Sequence, residues 1–536
     1  MKGFRFNRVY IVFILFLFIF ILCSIRLYFL QMHPTVAVQG QIASSQIEYT
    51  SQMKYDILDT NKQVLTNHNK KYIMVLDSQP FKLNNYEETL EDLLALNFIM
   101  KSEKTDFNYS DIMRSSGKFY YKISEESYNK VKGLKNTKGI YTYEYDELDL
   151  KEGWKPENFI ASIDIESENL TGFESLVSSV VKENEYPTKS FLLDDKAVYS
   201  ELDKDTTISN NNIQLTINRN WEEKIREVLE SDNYSFLKNI GVVLLESSTG
   251  KVRAMVQKDE SAANINLGIG QLGYEPGSIF KIITEAIALD KGLITLETVF
   301  NCNGDICTKL GEAYAHGPLS VHDALLVSCN DVFAKVGNSI GYNDLIDYTS
   351  KLGLYNKVLE LSGENREEAE GVKPKESDGI SNFSIGQCLT VTPLQIAGAI
   401  NSITNDGMYV KPYIIEAVLD KENIVIEELN TEEKRVFNST TAKLVQSNMT
   451  DVIWYGTGYE AKVYDITEGG KTGTSTGQGG TTNHGWFAGY FNLNGTMYTM
   501  VVVAPDIGDT HPDGRELGGG NTGAPIFRDI INMLIN

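Results

Sequence analysis

The N-terminus carries an apolar run that is long enough to cross a membrane. Three basic residues precede this run, which covers 9–30 and contains Arg26 as its one charge. A helix needs about 20 apolar residues to span a bilayer, and basic flanks stay on the cytoplasmic side. We therefore predict a cytoplasmic tail over 1–8, a single-pass anchor in the cell membrane over 9–30, and an extracytoplasmic remainder.

A cleaved signal peptide is the alternative interpretation of the same run. The run is long for the apolar core of a signal peptide, and no small-x-small cleavage site follows it directly. We therefore favour an uncleaved anchor. Both interpretations place the residues from about 35 onward outside the cytoplasm.

Length and composition limit the class of protein. A chain of 536 residues is too long for one ordinary domain, so two or three domains are expected. Hydrophobic residues make up 42% and charged residues 23%, which is a globular composition. The formal net charge of −23 argues against a nucleic-acid partner, because phosphate binding needs clustered lysine and arginine.

The first half of the chain after the anchor shows no catalytic pattern. Residues 31–205 are polar and rich in tyrosine, and the short apolar runs 72–76 and 191–193 predict strands. We interpret 31–205 as a mixed α/β pedestal domain without a catalytic site. The polar, turn-forming segment 203–212 predicts a linker after it.

The second half, residues 213–536, has strand patterns near both ends and helical patterns between them. A short strand is predicted at 214–217 and a hairpin at 240–256, and Asn494-Gly495 predicts a second hairpin over 486–503. Helical periodicity is present at 221–229 and again at 525–535. This pattern predicts an α+β domain whose antiparallel sheet is covered by helices.

A serine and a lysine are spaced to share one face of a helix. Pro276 and Gly277 break the chain before Ser278, and apolar residues at helical spacing follow as far as Gly292. Lys281 comes three residues after the serine, so the two side chains are neighbours on the helix. A serine hydroxyl needs a base to become a nucleophile, and a buried lysine can be that base. Taken alone, the pair fits an N-cap serine and a surface lysine better.

Two further polar motifs lie at predicted element boundaries. Ser328-Cys329-Asn330 separates the helical stretches 320–327 and 331–340, and alone it is typical of a helix cap. The sequence from Gly469 to Thr474 reads GGKTGT, whose glycines let a strand edge approach a ligand backbone closely. Lys471 in this motif can bind a carboxylate as a point charge. A glycine-rich loop is the alternative, whereas a phosphate loop is excluded because its spacing is absent.

In this order the three motifs resemble the active-site set of the penicillin-binding proteins and serine β-lactamases. The second motif follows the first by about 50 residues, and the third follows about 140 residues later. The resemblance covers 213–536, and with one anchor and no glycosyltransferase domain the chain is similar to the class B, monofunctional penicillin-binding proteins. The other segments that are similar to this family are Tyr274–Lys281, Ile385–Gln387, Thr390–Gln395, Gly456–Gly458 and His484–Tyr490.

The resemblance implies a peptidoglycan D,D-transpeptidase, which cross-links stem peptides ending in D-Ala-D-Ala and is acylated by β-lactams. It implies that Ser278 is the nucleophile and Lys281 its base, that Ser328 relays the proton, and that Asn330 holds the donor amide. The residues that it assigns to substrate binding are Lys471, Thr472, Gly473 and Thr474. It also assigns the oxyanion hole to the backbone N–H groups of Ser278 and Thr474.

A group of metal-ligand residues precedes the second motif. Cys302-x4-Cys307-x8-His316 supplies three zinc-type ligands within one loop, with Asp305 or His322 as the fourth. The alternatives are a Cys302–Cys307 disulfide or two buried free thiols. If zinc is bound, we expect it to be structural and to shape the loop beside the second motif. The serine chemistry itself requires no cofactor.

Two other functions compete with the transpeptidase. A β-lactamase needs a base for the deacylating water, and no glutamate is recognisably placed for that task. A membrane-anchored β-lactam sensor is acylated without turnover, but such sensors usually have several spans. The expected partners are therefore stem peptides, β-lactam antibiotics, the membrane and a membrane glycan polymerase, with no nucleic acid.

Overall fold

The computed structural model describes most of the chain. It covers residues 8–32, 45–85, 87–202, 207, 209–271, 273–309, 312–361, 366–476, 482–508 and 510–535, with the backbone alone at 8–12, 29–32 and 309. Most of the predicted cytoplasmic tail, the region 33–44 at the start of the predicted pedestal and several residues of the predicted linker lie outside the described residues.

The chain divides into two compact units. The first comprises Met1–Lys54, His68–Leu148 and Glu185–Ile208. The second comprises Tyr55–Asn67, Asp149–Asn184 and Ser209–Asn536. Two segments of the predicted pedestal thus belong to the second unit.

The first unit contains two three-stranded antiparallel sheets. In one of them His68–Asp77 lies between Lys118–Ile123 and Ile140–Leu148. Met74 and Leu76 on the central strand are fully buried against the short helices of this unit, so the strand predicted at 72–76 is confirmed. The other sheet has the order Ser45–Tyr49, Thr188–Leu193 and Tyr199–Leu202. The helices of this unit are Arg8–Met32, Ser78–Phe81, Leu90–Ser102, Tyr109–Arg114 and Glu125–Lys132.

The N-terminal helix runs over Arg8–Met32. Among the residues that the structure describes, no helix is both long enough and apolar enough to cross a membrane. The anchor over 9–30 stays a prediction.

The second unit is built on a five-stranded antiparallel sheet. Both predicted hairpins are confirmed as parts of it, because the apolar strands of each pair side by side with polar turns at their ends. The strand order is Val252–Gln257, Gly241–Glu246, Thr496–Ile507, Asn483–Leu493 and Glu468–Thr476. The GGKTGT motif therefore lies on an edge strand, which we call the KTG strand (Glu468–Thr476). An edge strand leaves backbone groups free to meet a ligand.

Helices cover both faces of this sheet. Arg219–Glu230 and Gly523–Ile535 pack on one face, where Phe487, Phe491 and Phe527 lie in a fully buried core. Pro393–Thr404 packs on the other face and is buried along its whole length. The central strands are buried on both sides, as expected for a sheet between two helical layers. This arrangement is the predicted α+β class.

The second unit also contains further helices and strands. The helices are Pro156–Ala161, Gly172–Val181, Lys281–Asp290, Val321–Leu326, Asn330–Ile340, Tyr342–Lys351, Ile380–Ser384 and Ser439–Tyr455. The strands are Ile57–Leu58, Asn212–Leu215, Val299–Cys302, Thr308–Lys309, Glu312–Ala313, Gly317–Ser320, Met408–Val410, Ile415–Leu419, Val425–Glu428 and Glu433–Arg435. The strand predicted at 214–217 begins and ends two residues earlier, because residues 216–218 lead into the helix Arg219–Glu230.

Candidate active site

Glycines bring the nucleophile segment against the KTG strand. Gly277 has a φ of +56°, and a Cβ atom added there would lie 2.6 Å from the carbonyl oxygen of Thr474. Gly473 lies on the other side of this contact, because a Cβ atom added there would lie 2.9 Å from the carbonyl oxygen of Pro276. The Ser475 hydroxyl also donates to the carbonyl oxygen of Glu275 at 2.6 Å. The close approach therefore needs glycine on both sides.

Ser278 lies at the N-terminal side of an α-helix, just before its first residue. It lies in a single 3₁₀ turn, Gly277–Phe280, which continues into the helix Lys281–Asp290. Side chains three residues apart are eclipsed in a 3₁₀ turn, so Lys281 stands directly beside Ser278. The Lys281 Nζ atom lies 3.0 Å from Ser278 Oγ, and the serine itself is half-buried.

Lys281 is the centre of a hydrogen-bond network between the first two motifs. Its Nζ atom lies 2.7 Å from the Ser328 carbonyl oxygen, 3.2 Å from Ser328 Oγ and 2.6 Å from Asn330 Oδ1. Its side chain is fully buried, and burial lowers the pKa of Lys281 to about 7, although the nearby Cys329 and Cys307 thiols act in the opposite direction. Lys281 is therefore poised to be neutral near neutral pH.

The second motif is held in an uncommon backbone conformation. Ser328 has a φ of +56°, a left-handed value that is unusual for a residue other than glycine. This conformation lets the chain turn from the helix Val321–Leu326 into the helix Asn330–Ile340 within three residues. As a result the hydroxyl of Ser328 and the amide of Asn330 both reach Lys281.

The third motif presents a second buried lysine. Lys471 is fully buried, and its Nζ atom lies 2.9 Å from the Thr472 carbonyl oxygen and 3.4 Å from Thr457 Oγ1. Burial, followed by the charge of Lys281, holds the pKa of Lys471 well below its usual range. The Thr472 hydroxyl donates to Thr457 Oγ1 at 2.8 Å, and Thr474 is exposed at the end of the motif. An anionic ligand would restore the charged form of Lys471.

Four ligand-type side chains converge beside the second motif. The ligand atoms of Cys302, Cys307, His316 and Cys329 all lie within 4.8 Å of one another, and the three cysteines are buried free thiols. The strand Val299–Cys302 pairs with Gly317–Ser320, which places Cys302 opposite the residue that follows His316. The three residues predicted as zinc ligands are thus brought together, and Cys329 joins them.

The donor set and its spacing fit zinc. In a tetrahedral zinc site the sulfur atoms lie about 3.8 Å apart and a sulfur lies about 3.6 Å from a nitrogen. Cys307 Sγ and Cys329 Sγ are 3.6 Å apart, and Cys302 Sγ is 3.4 Å from His316 Nδ1. The backbone N–H groups of His316 and Asp331 also point at Cys302 Sγ and Cys307 Sγ, each at 3.4 Å. Such contacts orient thiolate ligands in metal sites.

The expectation that Asp305 or His322 is the fourth ligand is wrong. Asp305 is exposed and is not part of the ligand group, whereas both ring nitrogens of His322 bond to carboxylates. Their partners are Asp323 at 3.0 Å and Asp451 at 3.1 Å. Cys329, at the centre of the second motif, joins the group of ligand-type side chains instead.

Sequence reasoning gave no role to two residues that connect the motifs. Thr457 contacts Lys471 and Thr472, and the family resemblance had singled out its segment, Gly456–Gly458, without assigning a role to it. Asp331 follows the second motif directly and accepts four backbone N–H groups from residues 303–306. The cysteine count between 302 and 329 was a usable signal for Cys329, but no sequence signal marked Asp331.

The geometry brings together Ser278, a buried lysine of lowered pKa and an edge strand that carries a second buried lysine. Comparison with known proteins shows the family to which the chain belongs. Residues 240–532 match the penicillin binding protein transpeptidase domain. Because this match covers more than half of the chain, the protein belongs to the penicillin-binding protein transpeptidase family.

Among its relatives, the chain is 25% identical to penicillin-binding protein PbpB of Mycolicibacterium smegmatis, over 70% of this chain and 63% of that protein. It therefore spans less than two thirds of that relative. It is 26% identical to stage V sporulation protein D of Bacillus subtilis, over 89% of this chain and 77% of that protein. Penicillin binding protein 2X of Streptococcus thermophilus has the same fold, with a TM-score of 0.69 and 16% identity over 91% of this chain and 80% of that chain.

Proposed function

We propose that the protein is a class B peptidoglycan D,D-transpeptidase that cross-links stem peptides ending in D-Ala-D-Ala. The observation that carries this proposal is the network around Lys281, which brings Ser278, Ser328 and Asn330 to one buried nitrogen. A serine beside a lysine of lowered pKa is an activated nucleophile.

Acylation then proceeds by proton transfer within this network. The Ser278 oxygen attacks the carbonyl carbon between the two D-Ala residues while Lys281 takes its proton. Ser328, 3.2 Å from Lys281, passes a proton to the leaving amine as the C–N bond breaks. The backbone N–H groups of Ser278 and Thr474 would stabilise the oxyanion. An amine of a second stem peptide next attacks the ester and releases Ser278.

The KTG strand supplies the site for the donor's terminal carboxylate. Lys471 and Thr472 line this part of the edge strand, with Gly473 permitting close approach and Thr474 exposed beyond them. A carboxylate would offset the cost of burying the Lys471 charge, because an opposite charge favours the protonated lysine. β-Lactams carry the same carboxylate and would acylate Ser278 in the same way.

A β-lactamase is less well supported. Hydrolysis of the acyl-enzyme needs a base for water, and within the described residues no carboxylate hydrogen-bonds to Ser278 or Lys281. A β-lactam sensor needs only acylation, and Ser328 would protonate the leaving amine in that step as well, so the network around Lys281 serves a sensor equally. Formation of cross-links separates the transpeptidase from the sensor.

We further propose that the protein works at the outer face of the cell membrane, held by the apolar segment 9–30 and beside a membrane glycan polymerase. In support, the side chains of 13–28 are exposed on all sides of their helix, with Phe13, Phe16 and Phe20 each more than 60% exposed. A helix that is apolar all round needs an apolar environment.

A direct test of the activity uses the full chain in detergent with glycan strands that carry pentapeptides. We expect release of D-Ala and formation of cross-linked dimers, and Ser278→Ala should abolish both. Acylation by benzylpenicillin without dimers would favour the sensor, and rapid hydrolysis of benzylpenicillin would favour the β-lactamase.

We also propose that Cys302, Cys307, Cys329 and His316 hold one structural zinc ion. Three thiolates and an imidazole are a closed structural zinc set, with no open position for a substrate. The ion would supply folding energy and fix the loop beside Ser328, while the serine chemistry proceeds on this chain's own residues. A disulfide would instead require a sulfur–sulfur distance of about 2.0 Å.

Metal analysis of the purified full chain tests this site. We expect one zinc per chain in the natural protein and in Cys388→Ser, whose cysteine lies outside the ligand group. Cys302→Ser should lose most of the zinc. A chain without zinc whose mass is two hydrogens lower before reduction would support the disulfide and contradict the zinc proposal.

A further inference from the structure

Asp331 binds the turn that carries the first two cysteines. Its carboxylate accepts the backbone N–H groups of Asn303 at 2.9 Å, Gly304 at 2.9 Å and Asp305 at 3.2 Å through Oδ2. Its Oδ1 accepts a fourth from Ile306 at 3.0 Å. We call residues 302–307 the cysteine turn. Asp331 is 3% exposed, so these bonds are shielded from water and are strong, charge-assisted contacts.

The same residue holds the cysteine turn a second time through its backbone. Its N–H group points at Cys307 Sγ at 3.4 Å. Further along the helix Asn330–Ile340, Lys335 donates to the carbonyl oxygen of Asn301, just before the turn. The start of this helix therefore binds the cysteine turn from several directions. An Asp that served only as a helix-terminal charge would need none of these contacts.

Ile306 connects the hydrogen bonds of Asp331 to the catalytic network. The N–H group of Ile306 donates to Asp331, and the carbonyl oxygen of Ile306 accepts from Asn330 Nδ2 at 3.4 Å. With Nδ2 directed to Ile306, the other atom of the amide, Oδ1, faces Lys281 at 2.6 Å. The cysteine turn thus contacts one end of the Asn330 amide, while Lys281 contacts the other.

We propose that Asp331 is a positioning residue that couples the Cys302–Cys307–His316–Cys329 site to acylation of Ser278. Through the cysteine turn it fixes the Asn330 amide against Lys281, and through the same turn it fixes two of the metal ligands. This inference rests on the proposed transpeptidase function and on the proposed zinc site. Partners that orient metal ligands typically change affinity or activity by about 10- to 100-fold when they are lost.

The test compares Asp331→Asn with Asp305→Asn in the full chain in detergent. Both substitutions remove one carboxylate near the cysteine turn, but the Asp305 side chain is exposed and makes no hydrogen bond to any residue in the described part of the chain. The first-order acylation rate constant with saturating benzylpenicillin, the drug concentration for half-saturation and the final fraction of acylated protein are measured separately. Zinc release is followed by competition with a chelator.

We expect Asp331→Asn to lower the acylation rate constant by about 10- to 100-fold, with an unchanged final acylated fraction. We also expect it to release zinc at a chelator concentration at least about tenfold lower. Asp305→Asn should stay within about twofold of the natural protein in both measurements. A lower acylated fraction with an unchanged rate constant would mean that Asp331 only stabilises the fold, which would overturn the proposal.

A second variant keeps the test decisive if Asp331→Asn does not fold. Gly304, one of the four donors, has a φ of +84°, and a Cβ there would meet the backbone of Tyr314 and Ala315 at 3.0 Å. Gly304→Ala should therefore shift the cysteine turn and slow acylation without a change of charge, and an unchanged rate would overturn the proposal. If the natural protein is not acylated at all, the proposed function fails, and unchanged zinc release in Asp331→Asn would separately overturn the coupling.

Discussion

The side-chain nitrogen of Lys281 lies 2.6 Å from the side-chain oxygen of Asn330. A neutral lysine has two N–H bonds and one lone pair. Asn330 and the Ser328 carbonyl oxygen can accept the two hydrogens, which leaves the lone pair for the proton of Ser278. The network can therefore accommodate the neutral, basic form of Lys281, which burial favours.

The first prediction concerns the pH dependence of acylation. Burial lowers the pKa of Lys281 to about 7, so this base gains its lone pair as the pH rises through that value. We expect the rate constant at saturating benzylpenicillin to rise with pH, with a midpoint near 7, and then to level off. A rate that is flat across this range, or that falls with pH, would contradict the assignment of Lys281 as the base.

The second prediction concerns Gly277, whose positive φ and close contact with Thr474 both require glycine. We expect Gly277→Ala to reduce the free energy of unfolding by about 3 kcal/mol and to slow acylation, because Ser278 must shift. Gly292→Ala is the matched control, since Gly292 has a φ of +66° with no atom within 4 Å of an added Cβ. Gly292→Ala should reduce the free energy of unfolding by only about 1 kcal/mol and leave the acylation rate unchanged. Equal effects of the two variants would contradict the close-contact argument.

The third prediction concerns Thr457, which accepts a hydrogen bond from Thr472 and lies beside Lys471. Thr457→Val leaves the buried Thr472 hydroxyl without its acceptor and removes one of the acceptors of Lys471, at a cost of about 1–3 kcal/mol. We expect the benzylpenicillin concentration for half-saturation to rise about tenfold. Thr440→Val, which makes the same change at an exposed position of the helix Ser439–Tyr455, should have no effect. An unchanged benzylpenicillin concentration for half-saturation in Thr457→Val would contradict a role of Thr457 in the carboxylate site.

The fourth prediction concerns metal removal. A metal that binds only the folded chain stabilises it according to its free concentration, so chelation should lower the midpoint of thermal unfolding by about 5 °C or more. Zn²⁺ should restore the midpoint, whereas Mg²⁺ should not, because sulfur ligands do not suit Mg²⁺. Cys302→Ser should show no further decrease with chelator. A midpoint that chelator leaves unchanged in the natural protein would contradict the zinc site.

The sequence correctly predicted features that depend on residues close together along the chain. Two strand-like runs and an Asn494-Gly495 turn predicted the second hairpin, and the structure extends it to Asn483–Leu493 and Thr496–Ile507. The spacing of Ser278 and Lys281 predicted a shared face, which a 3₁₀ turn provides. These features depend on neighbours along the chain, and local patterns report such neighbours well.

The features that sequence reasoning missed depend on contacts between distant segments. Cys329 reaches the ligand group because a left-handed residue, Ser328, reverses the chain before the helix Asn330–Ile340. Asp305 is nearer to Cys302 and Cys307 in sequence, but its side chain is exposed. Sequence distance favoured the wrong ligand because it contains no information on where a side chain points.

The most direct test of the central claim is intact-mass analysis of the full chain after incubation with benzylpenicillin, with peptide mapping of the product. We expect one stable adduct per chain, located on Ser278 and absent in Ser278→Ala. An adduct on another residue, or a folded chain that remains unmodified, would contradict Ser278 as the acylated nucleophile of a penicillin-binding transpeptidase.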